Sequence, residues 1–402
     1  MTYLVCRNCG FSASERDVED GLAVCPECNV DLKAEHPRGR DDTCRDAPFS
    51  RQEIPLRSAP RRIKPVFAGS AGEYFRIWIV NTFLMILTLG LYAPWAKVRE
   101  RRFFYRHTVV DGRTFDYTAP PVAILKGYLI VGGGISLYYL AKVYNPLYSL
   151  LVFGIFSLVL PFLIYKSLRF FARHSAYRNI PFHFRGTVGE SYRTYLLYPL
   201  LIPFTLGLII PYWAFRRKKY FFGNIAFGTT ANIFKGSARQ FYKLYGIVAV
   251  MLTGVVVLFT VMILSFAPLI VTPEDVTFNT AMIFFFFAVY FTSLVVPAFI
   301  QQYIYAWTTN YCWGHSGLGN VRFQSTLKAG RLFWIRITNI LAIIFSVGLL
   351  IPWAKVRRIR YIVDNVTVIA DQGLDDFTAG LRPDESAYGD AATDFFDIEI
   401  GL

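Results

Sequence analysis

The chain has 402 residues, 54% of them hydrophobic and 17% charged, with a formal net charge of +14. Soluble proteins carry roughly 25% charged residues, and the stretches 122–141, 246–271 and 281–300 hold almost no charge; this disfavours a water-soluble core and predicts membrane-spanning helices. The basic residues cluster beside the apolar runs, which points to a membrane surface before nucleic acid.

At the start of the chain stand Cys6-Arg7-Asn8-Cys9 and Cys25-Pro26-Glu27-Cys28. Each Cys-x-x-Cys folds into a knuckle that aims two sulfurs at one point, and four thiolates satisfy tetrahedral Zn²⁺. Residues 1–32 are therefore expected to be a zinc-ribbon-like module in which Cys6, Cys9, Cys25 and Cys28 hold a structural zinc. Two disulfides or an iron site are the alternatives. Disulfides need an oxidising compartment, and no secretory signal is visible ahead of the module. A site of four thiolates has no open position, which argues against catalysis by the metal. Glu15, Asp17, Glu19 and Asp20 make the loop acidic. Acidic groups repel phosphate, so a cytosolic protein partner is expected there and nucleic acid is not. Cys44 and Cys312 are left over and read as unligated thiols.

Residues 33–66 read as a disordered linker, interrupted by Pro37, Pro48, Pro55, Pro60 and Pro65. Its end is basic, through Arg51, Arg57, Arg61, Arg62 and Lys64, and is expected to lie along lipid headgroups.

From residue 67 to 370 one pattern occurs three times, near 67–118, 184–235 and 323–370. Thr88-Leu89-Gly90-Leu91 precedes Pro94-Trp95-Ala96-Lys97-Val98-Arg99. Thr205-Leu206-Gly207-Leu208 precedes Pro211, and Ser346-Val347-Gly348-Leu349 precedes Pro352-Trp353-Ala354-Lys355-Val356-Arg357. Gly90, Gly207 and Gly348 are spaced by 117 and 141 positions (207 − 90 and 348 − 207), and the same offsets relate Arg99, Arg216 and Arg357, then Arg102, Lys219 and Arg360. Each unit reads as a short strand, an apolar helix broken at a Gly-Leu-x-x-Pro turn, a basic aromatic helix and a β-hairpin. The hairpin is clearest at Asp111-Gly112, a pair favoured in tight strand turns. The expected fold is an all-α membrane protein, a helical transmembrane bundle with three internal repeats and a small N-terminal zinc ribbon.

The run Gly72-Glu73-Tyr74-Phe75-Arg76, the Thr-Leu-Gly-Leu to Trp-Ala-Lys-Val-Arg segment and the Asp111-Gly112 hairpin make residues 67–370 resemble the YjgN-like family of bacterial inner-membrane proteins. The resemblance implies an inner-membrane location and no established activity. Ala214 stands where the other copies have Lys97 and Lys355, which weakens any role for that lysine in every copy.

The simplest charge distribution has four spans, near 122–141, 147–165, 244–270 and 280–303. The three broken helices are short, at or below the length that crosses a bilayer. They are basic on both flanks, so they are expected to enter and leave on the cytoplasmic side. Both termini are then cytoplasmic, including the acidic tail 371–402. Seven full spans is the rival arrangement.

The basic aromatic helices carry Lys97, Arg99, Arg102, Arg216, Lys219, Lys355, Arg357 and Arg360. They read as interfacial anchors, or as sites for an anionic ligand or lipid headgroup. Glu73 and Glu190 fall at helix starts, where carboxylates favour the helix dipole. No P-loop, nucleophile elbow or zinc-protease motif is present in the sequence. The expected function is a non-enzymatic membrane scaffold or lipid- and anion-binding protein with a zinc module for partner recruitment. The alternative is a transporter or channel for a small or anionic solute.

Overall fold

The computed structural model describes the backbone of residues 3–5, 12–14, 60–271 and 276–370, and the side chains of 60–265 and 282–370. Two compact units are present, Met1–Leu56 and Arg57–Leu402. In the first, strands β1 (Tyr3–Val5) and β2 (Ser12–Ser14) pair antiparallel, with Tyr3 opposite Ser14 and Val5 opposite Ser12. The six residues between them carry Cys6 and Cys9. All four cysteines of the expected zinc site, most of the expected linker and the acidic tail lie outside the described residues.

The second unit begins with β3 (Arg61–Ile63) and β4 (Val66–Phe67), so the end of the expected linker is strand. Among the described residues five pairs of helices follow, each running out from one strand and back into the next. The first pair is α1 (Ala71–Leu87) and α2 (Ala93–Arg106), which leads into β5 (Thr108–Val110) and β6 (Arg113–Tyr117). The second is α3 (Pro121–Tyr144) and α4 (Pro146–His174), followed by β7 (Ser175–Tyr177) and β8 (Ile180–Phe184). The third is α5, over 188–200, and α6 (Ile210–Asn224), then β9 (Ile225–Phe227) and β10 (Thr230–Phe234). A π-helical turn at Arg193–Leu197 lets α5 take Pro199, which has no N–H to donate. The fourth is α7 (Ala238–Val271) and α8 (Val276–Gly314), then β11 (Ser316–Leu318) and β12 (Val321–Ser325). The last is α9 (Ala329–Phe345) and α10 (Ile351–Asp364), then β13 (Val366–Ala370).

The expectation of an all-α protein is overturned. Strands β3 to β13 form one eleven-stranded sheet, antiparallel throughout and curled as a half-barrel, in the order β3-β13-β12-β11-β10-β9-β8-β7-β6-β5-β4. Its first and last strands are consecutive in the chain, separated by Lys64 and Pro65. Two residues can span roughly 10 Å, so the curl brings both ends of the sheet together. Pro65 donates no backbone hydrogen bond, which suits the point where one extended segment changes pairing partner. One face of the sheet is a continuous apolar core to which strands from both ends contribute: Ile63, Val110, Tyr177, Phe227, Leu318, Val321 and Val368.

The two strands that flank each helical pair are hydrogen-bonded to each other. This holds for β4 with β5, β6 with β7, β8 with β9, β10 with β11, and β12 with β13. Both ends of every helical pair therefore sit at the sheet, and every inter-helix tip lies away from it. Among the described residues four helices are long and apolar enough to cross a membrane: Pro121–Tyr144, Pro146–His174, Ala238–Ser265 and Met282–Gly314. They are the four segments expected from the sequence, and they make up the second and fourth pairs. The helices α1 and α9 have 17 residues each and α2 and α10 have 14 each, or roughly 25 and 21 Å of rise.

The break between the short helices is built the same way three times. Gly90 N donates to Met85 O at 2.8 Å, Gly207 N to Ile202 O at 2.9 Å and Gly348 N to Ile343 O at 2.8 Å. These are the six-to-one bonds that close a helix C-terminus. The residue before each glycine is left-handed: Leu89 at φ 49°, Leu206 at φ 48° and Val347 at φ 50°. A left-handed non-glycine residue costs about 1–2 kcal/mol. The hairpin turn read at Asp111-Gly112 is present, with φ 48° and 70° at its two central residues and Val110 opposite Arg113.

Candidate anion-binding pockets on the broken helical pairs

On α2, Arg99, Arg102 and Arg106 follow one another at spacings of three and four, which aligns them on one face of the helix. Arg357, Arg360 and Asp364 hold the same places on α10, each 258 positions later (357 − 99). Each leading arginine reaches back across its helical pair. Arg99 Nη1 donates to Asn81 Oδ1 at 3.5 Å, and Asn81 Nδ2 donates to Ala96 O at 3.5 Å. Arg357 Nη1 donates to Asn339 Oδ1 at 3.0 Å and to Thr338 Oγ1 at 2.7 Å, and Asn339 Nδ2 donates to Ala354 O at 3.0 Å. Both asparagines are buried. In the middle pair Tyr198 stands at the asparagine position (81 + 117), and the Arg216 guanidinium lies 5.6 Å from its ring centroid.

A cavity of about 500 Å³ opens between α1 and α2, lined by Arg76, Arg99, Arg102, Arg106 and His107 with Ile77, Val80 and Phe103. No carboxylate is among these lining residues. A second cavity of about 280 Å³ is lined by Arg331, Arg357, Arg360 and Asp364 with Ala71, Ile335, Trp353, Val356 and Tyr361. Its Ile335, Arg357, Arg360, Tyr361 and Asp364 are the counterparts, at the same offset of 258, of Ile77, Arg99, Arg102, Phe103 and Arg106. Guanidinium groups donate in pairs to phosphate or carboxylate oxygens, and the apolar wall beside them suits a molecule with a hydrocarbon part.

Neighbouring contacts fix several of these groups. Arg102 Nε donates to Tyr117 O at 3.2 Å. Arg106 Nε donates to Asp116 Oδ1 at 2.9 Å, and this hydrogen bond holds the Asp116 carboxyl below its ordinary range. At the start of α1, Ser70 and Glu73 cap the helix reciprocally at 3.2 Å, and the hydrogen bond from the Ser70 backbone, followed by that from its hydroxyl, lowers the Glu73 carboxyl. His107 Nε2 lies 3.7 Å from Glu73 Oε2.

Of the basic residues singled out from the sequence, Arg99 and Arg102 share the first cavity and Arg357 and Arg360 the second. Arg360 Nη2 also donates to Gly69 O at 3.0 Å. Lys355 is turned elsewhere, with Nζ 2.6 Å from Glu100 Oε1 of the first pair. Lys97, Arg216 and Lys219 line neither cavity. Arg76, Arg106, His107 and Arg331 were not in the expected set. The three-and-four spacing of Arg99, Arg102 and Arg106 was the signal for Arg106. Among the described residues no group of three or more His, Cys, Asp or Glu is placed to hold a metal ion.

A curled sheet gathering the ends of five helical pairs, two of them long and apolar enough to cross a bilayer, defines a multi-pass membrane protein with basic pockets beside its sheet. The chain belongs to the family described as "Bacterial protein of unknown function (DUF898)", whose model matches residues 63–395. It is 31% identical over 125 residues to the "Inner membrane protein YjgN" of Salmonella typhimurium (strain LT2), covering 30% of this chain and 31% of that one. It is 44% identical over 52 residues to the protein of the same name from Escherichia coli (strain K12), covering 13% of each. The likeness to YjgN-like proteins read from the sequence is thus borne out, over less than a third of those relatives' length. No solved structure matches the chain.

Proposed function

We propose that this is a non-enzymatic, multi-pass inner-membrane protein that holds anionic phospholipid headgroups in its two arginine-lined cavities. The observation that carries this reading is the recurrence of one basic pocket, at an offset of 258 positions, on two broken helical pairs. The relatives named above, both called inner membrane proteins, support the location. The sheet and both termini are read as cytoplasmic, because arginines and lysines concentrate at the sheet-side helix ends. We further infer that residues 67–118, 184–235 and 323–370 are copies of one unit. The recurring glycine caps, and the arginine that returns to position 81, 198 or 339, support this.

Native mass spectrometry of the full chain in mild detergent tests the headgroup reading. Phosphatidylglycerol and phosphatidylcholine are added in parallel to the parent chain and to the double variants Arg99→Gln/Arg102→Gln and Arg357→Gln/Arg360→Gln. A charge-assisted hydrogen bond contributes about 1.5–3 kcal/mol, so each double variant should bind phosphatidylglycerol at its altered cavity at least tenfold more weakly and retain about one molecule fewer than the parent chain, with phosphatidylcholine unchanged. Equal phosphatidylglycerol retention by all three proteins rejects the reading.

The N-terminal unit is read as a cytoplasmic zinc module that recruits a protein partner. The spacing of Cys6, Cys9, Cys25 and Cys28 supports it, and so does the β1–β2 pairing that brackets the first cysteine pair. Metal analysis of the purified chain should find about one zinc per molecule and none in a Cys6→Ser/Cys25→Ser variant.

A further inference from the structure

The three short helical pairs end in tips of an unusual kind. Leu89, Leu206 and Val347 are 95%, 92% and 92% exposed, so none of the described residues covers them. Each also occupies a left-handed backbone position, at φ 48° to 50°, where glycine or asparagine is the ordinary choice. Val347 is β-branched, the least suited type for that conformation. An exposed apolar side chain held at a backbone cost, three times over, points to a partner that rewards apolar surface at that spot.

The backbone of the tips suits a hydrocarbon partner. Thr88 Oγ1 donates to Leu84 O at 2.7 Å and accepts from Tyr92 N at 3.0 Å. Ser346 Oγ donates to Ile343 O at 3.2 Å and accepts from Leu350 N at 3.0 Å. Thr205 Oγ1 donates to Leu201 O at 2.9 Å. Together with the glycine bonds already described, these side chains pair backbone groups that water would otherwise serve. Turns that close helix ends in water use such bonds too, but there water can stand in for them, and in hydrocarbon nothing can. The flanking Ile86, Leu91, Phe204, Leu208, Ile344 and Phe345 are exposed as well.

Length sets the depth. Each short pair starts and ends at neighbouring strands of one sheet, and its helices rise roughly 20–25 Å against a hydrocarbon core of about 30 Å. The four long helices start from the same sheet and are long enough to cross.

We propose that the tips at Leu89, Leu206 and Val347 are buried among acyl chains and end inside the bilayer, having entered from the sheet side. Ten of the described helices then occupy the leaflet next to the sheet, and only the four crossing helices reach the far surface of the other. The membrane part of residues 57–402 is accordingly a wedge that displaces more lipid from one leaflet than from its partner leaflet, and the surface it fits is a bilayer curved or thinned to match. This rests on the membrane reading above and is independent of the headgroup pockets.

The test uses the full chain in sealed proteoliposomes with single cysteines at Leu89→Cys, Leu206→Cys and Val347→Cys. Two reference positions are added, Arg113→Cys on the sheet and Lys142→Cys near the tip of the second pair, with the parent chain giving the background. A membrane-impermeant maleimide should label Arg113→Cys from one face and Lys142→Cys from the opposite face, and the three tips from neither. A bimane on each tip should be quenched most by lipids brominated deep in the acyl chain. Tip labelling from the Lys142 face means a full crossing and overturns the proposal; tip labelling from the Arg113 face places the tips in water and overturns it too. If the two reference cysteines label from one face, the crossing itself fails and the wedge falls with it. The substituted side chains make almost no protein contact, and even elution of each variant on size exclusion verifies folding.

Discussion

Arg61 Nη2 and Asp111 Oδ1 lie 2.8 Å apart, and this ion pair ties the strand at one end of the curled sheet to the hairpin turn next to the other end. Asp111 Oδ2 also accepts from Arg178 Nη2 at 3.0 Å. Arg61 is mostly exposed, whereas Asp111 and Arg178 are largely covered. Exposed pairs contribute about 0–1 kcal/mol, and breaking a buried one costs several times more. Asp111→Asn keeps the left-handed turn and removes the charge, and should lower stability by about 1–3 kcal/mol. Arg61→Ala should cost under about 1 kcal/mol. Thermal unfolding in detergent, read for the three proteins side by side, checks the order; an Arg61→Ala effect as large as that of Asp111→Asn contradicts it.

Gly186 has no room for a side chain. A Cβ there would lie 2.6 Å from Phe184 Cε1 and 2.9 Å from Tyr220 Cε2, and both rings are buried. Gly186→Ala should therefore destabilise by about 1–3 kcal/mol through overpacking. Gly72 in α1 meets nothing within 4 Å. Gly72→Ala should instead stabilise by up to about 1 kcal/mol, since alanine loses less backbone freedom in a helix. Opposite shifts of the two unfolding midpoints are the expected outcome.

Asn339→Ala removes a buried acceptor for Arg357 and a buried donor to Ala354 O, at 3.0 Å each. A loss of about 1–3 kcal/mol is expected, because partners are left unpaired. The corresponding bonds of Asn81 are 3.5 Å long, so Asn81→Ala should cost less. Measured unfolding midpoints in the order parent, Asn81→Ala, Asn339→Ala check this.

Asp116 is held below its ordinary value of 3.8 chiefly by the Arg106 hydrogen bond. A lowered carboxyl contributes stability that is fully present above the ordinary value and is lost as pH falls through the lowered one. Asp116 is more than a third exposed and Arg106 more than half, so the contribution is small, at most about 0.5 kcal/mol. Thermal scans at pH 6 and pH 3 should show a smaller acid-induced loss for Asp116→Asn than for the parent chain. An equal loss would show that this pair does not contribute.

Sequence patterns exposed part of the pockets and hid the rest. Arg99 with Arg357, and Arg102 with Arg360, could be paired by offset alone. Whether Lys355 was available could not be read from its own neighbourhood, because its partner Glu100 lies 255 positions away on another helical pair. Arg76 and Arg331 come from the first helices of their pairs, and only the packing of each pair sets them opposite the second-helix arginines. The eleven-stranded sheet escaped notice for a related reason. Its strands have two to five residues, too few for alternation to register.

By itself, the sequence determined the four segments long and apolar enough to cross a membrane, the glycine breaks of the three short pairs and the Asp111-Gly112 hairpin. Each is a local property: a charge-free run of sufficient length, a glycine that accepts a positive φ, a two-residue turn with its preferred residues. Only the tertiary structure decided that five helical pairs hang from one sheet, and that β3 pairs with β13 across some three hundred residues. It also decided which arginines share a cavity. These outcomes depend on hydrogen-bond partners and charges brought together from distant parts of the chain, and no local window of sequence contains both members of such a pair.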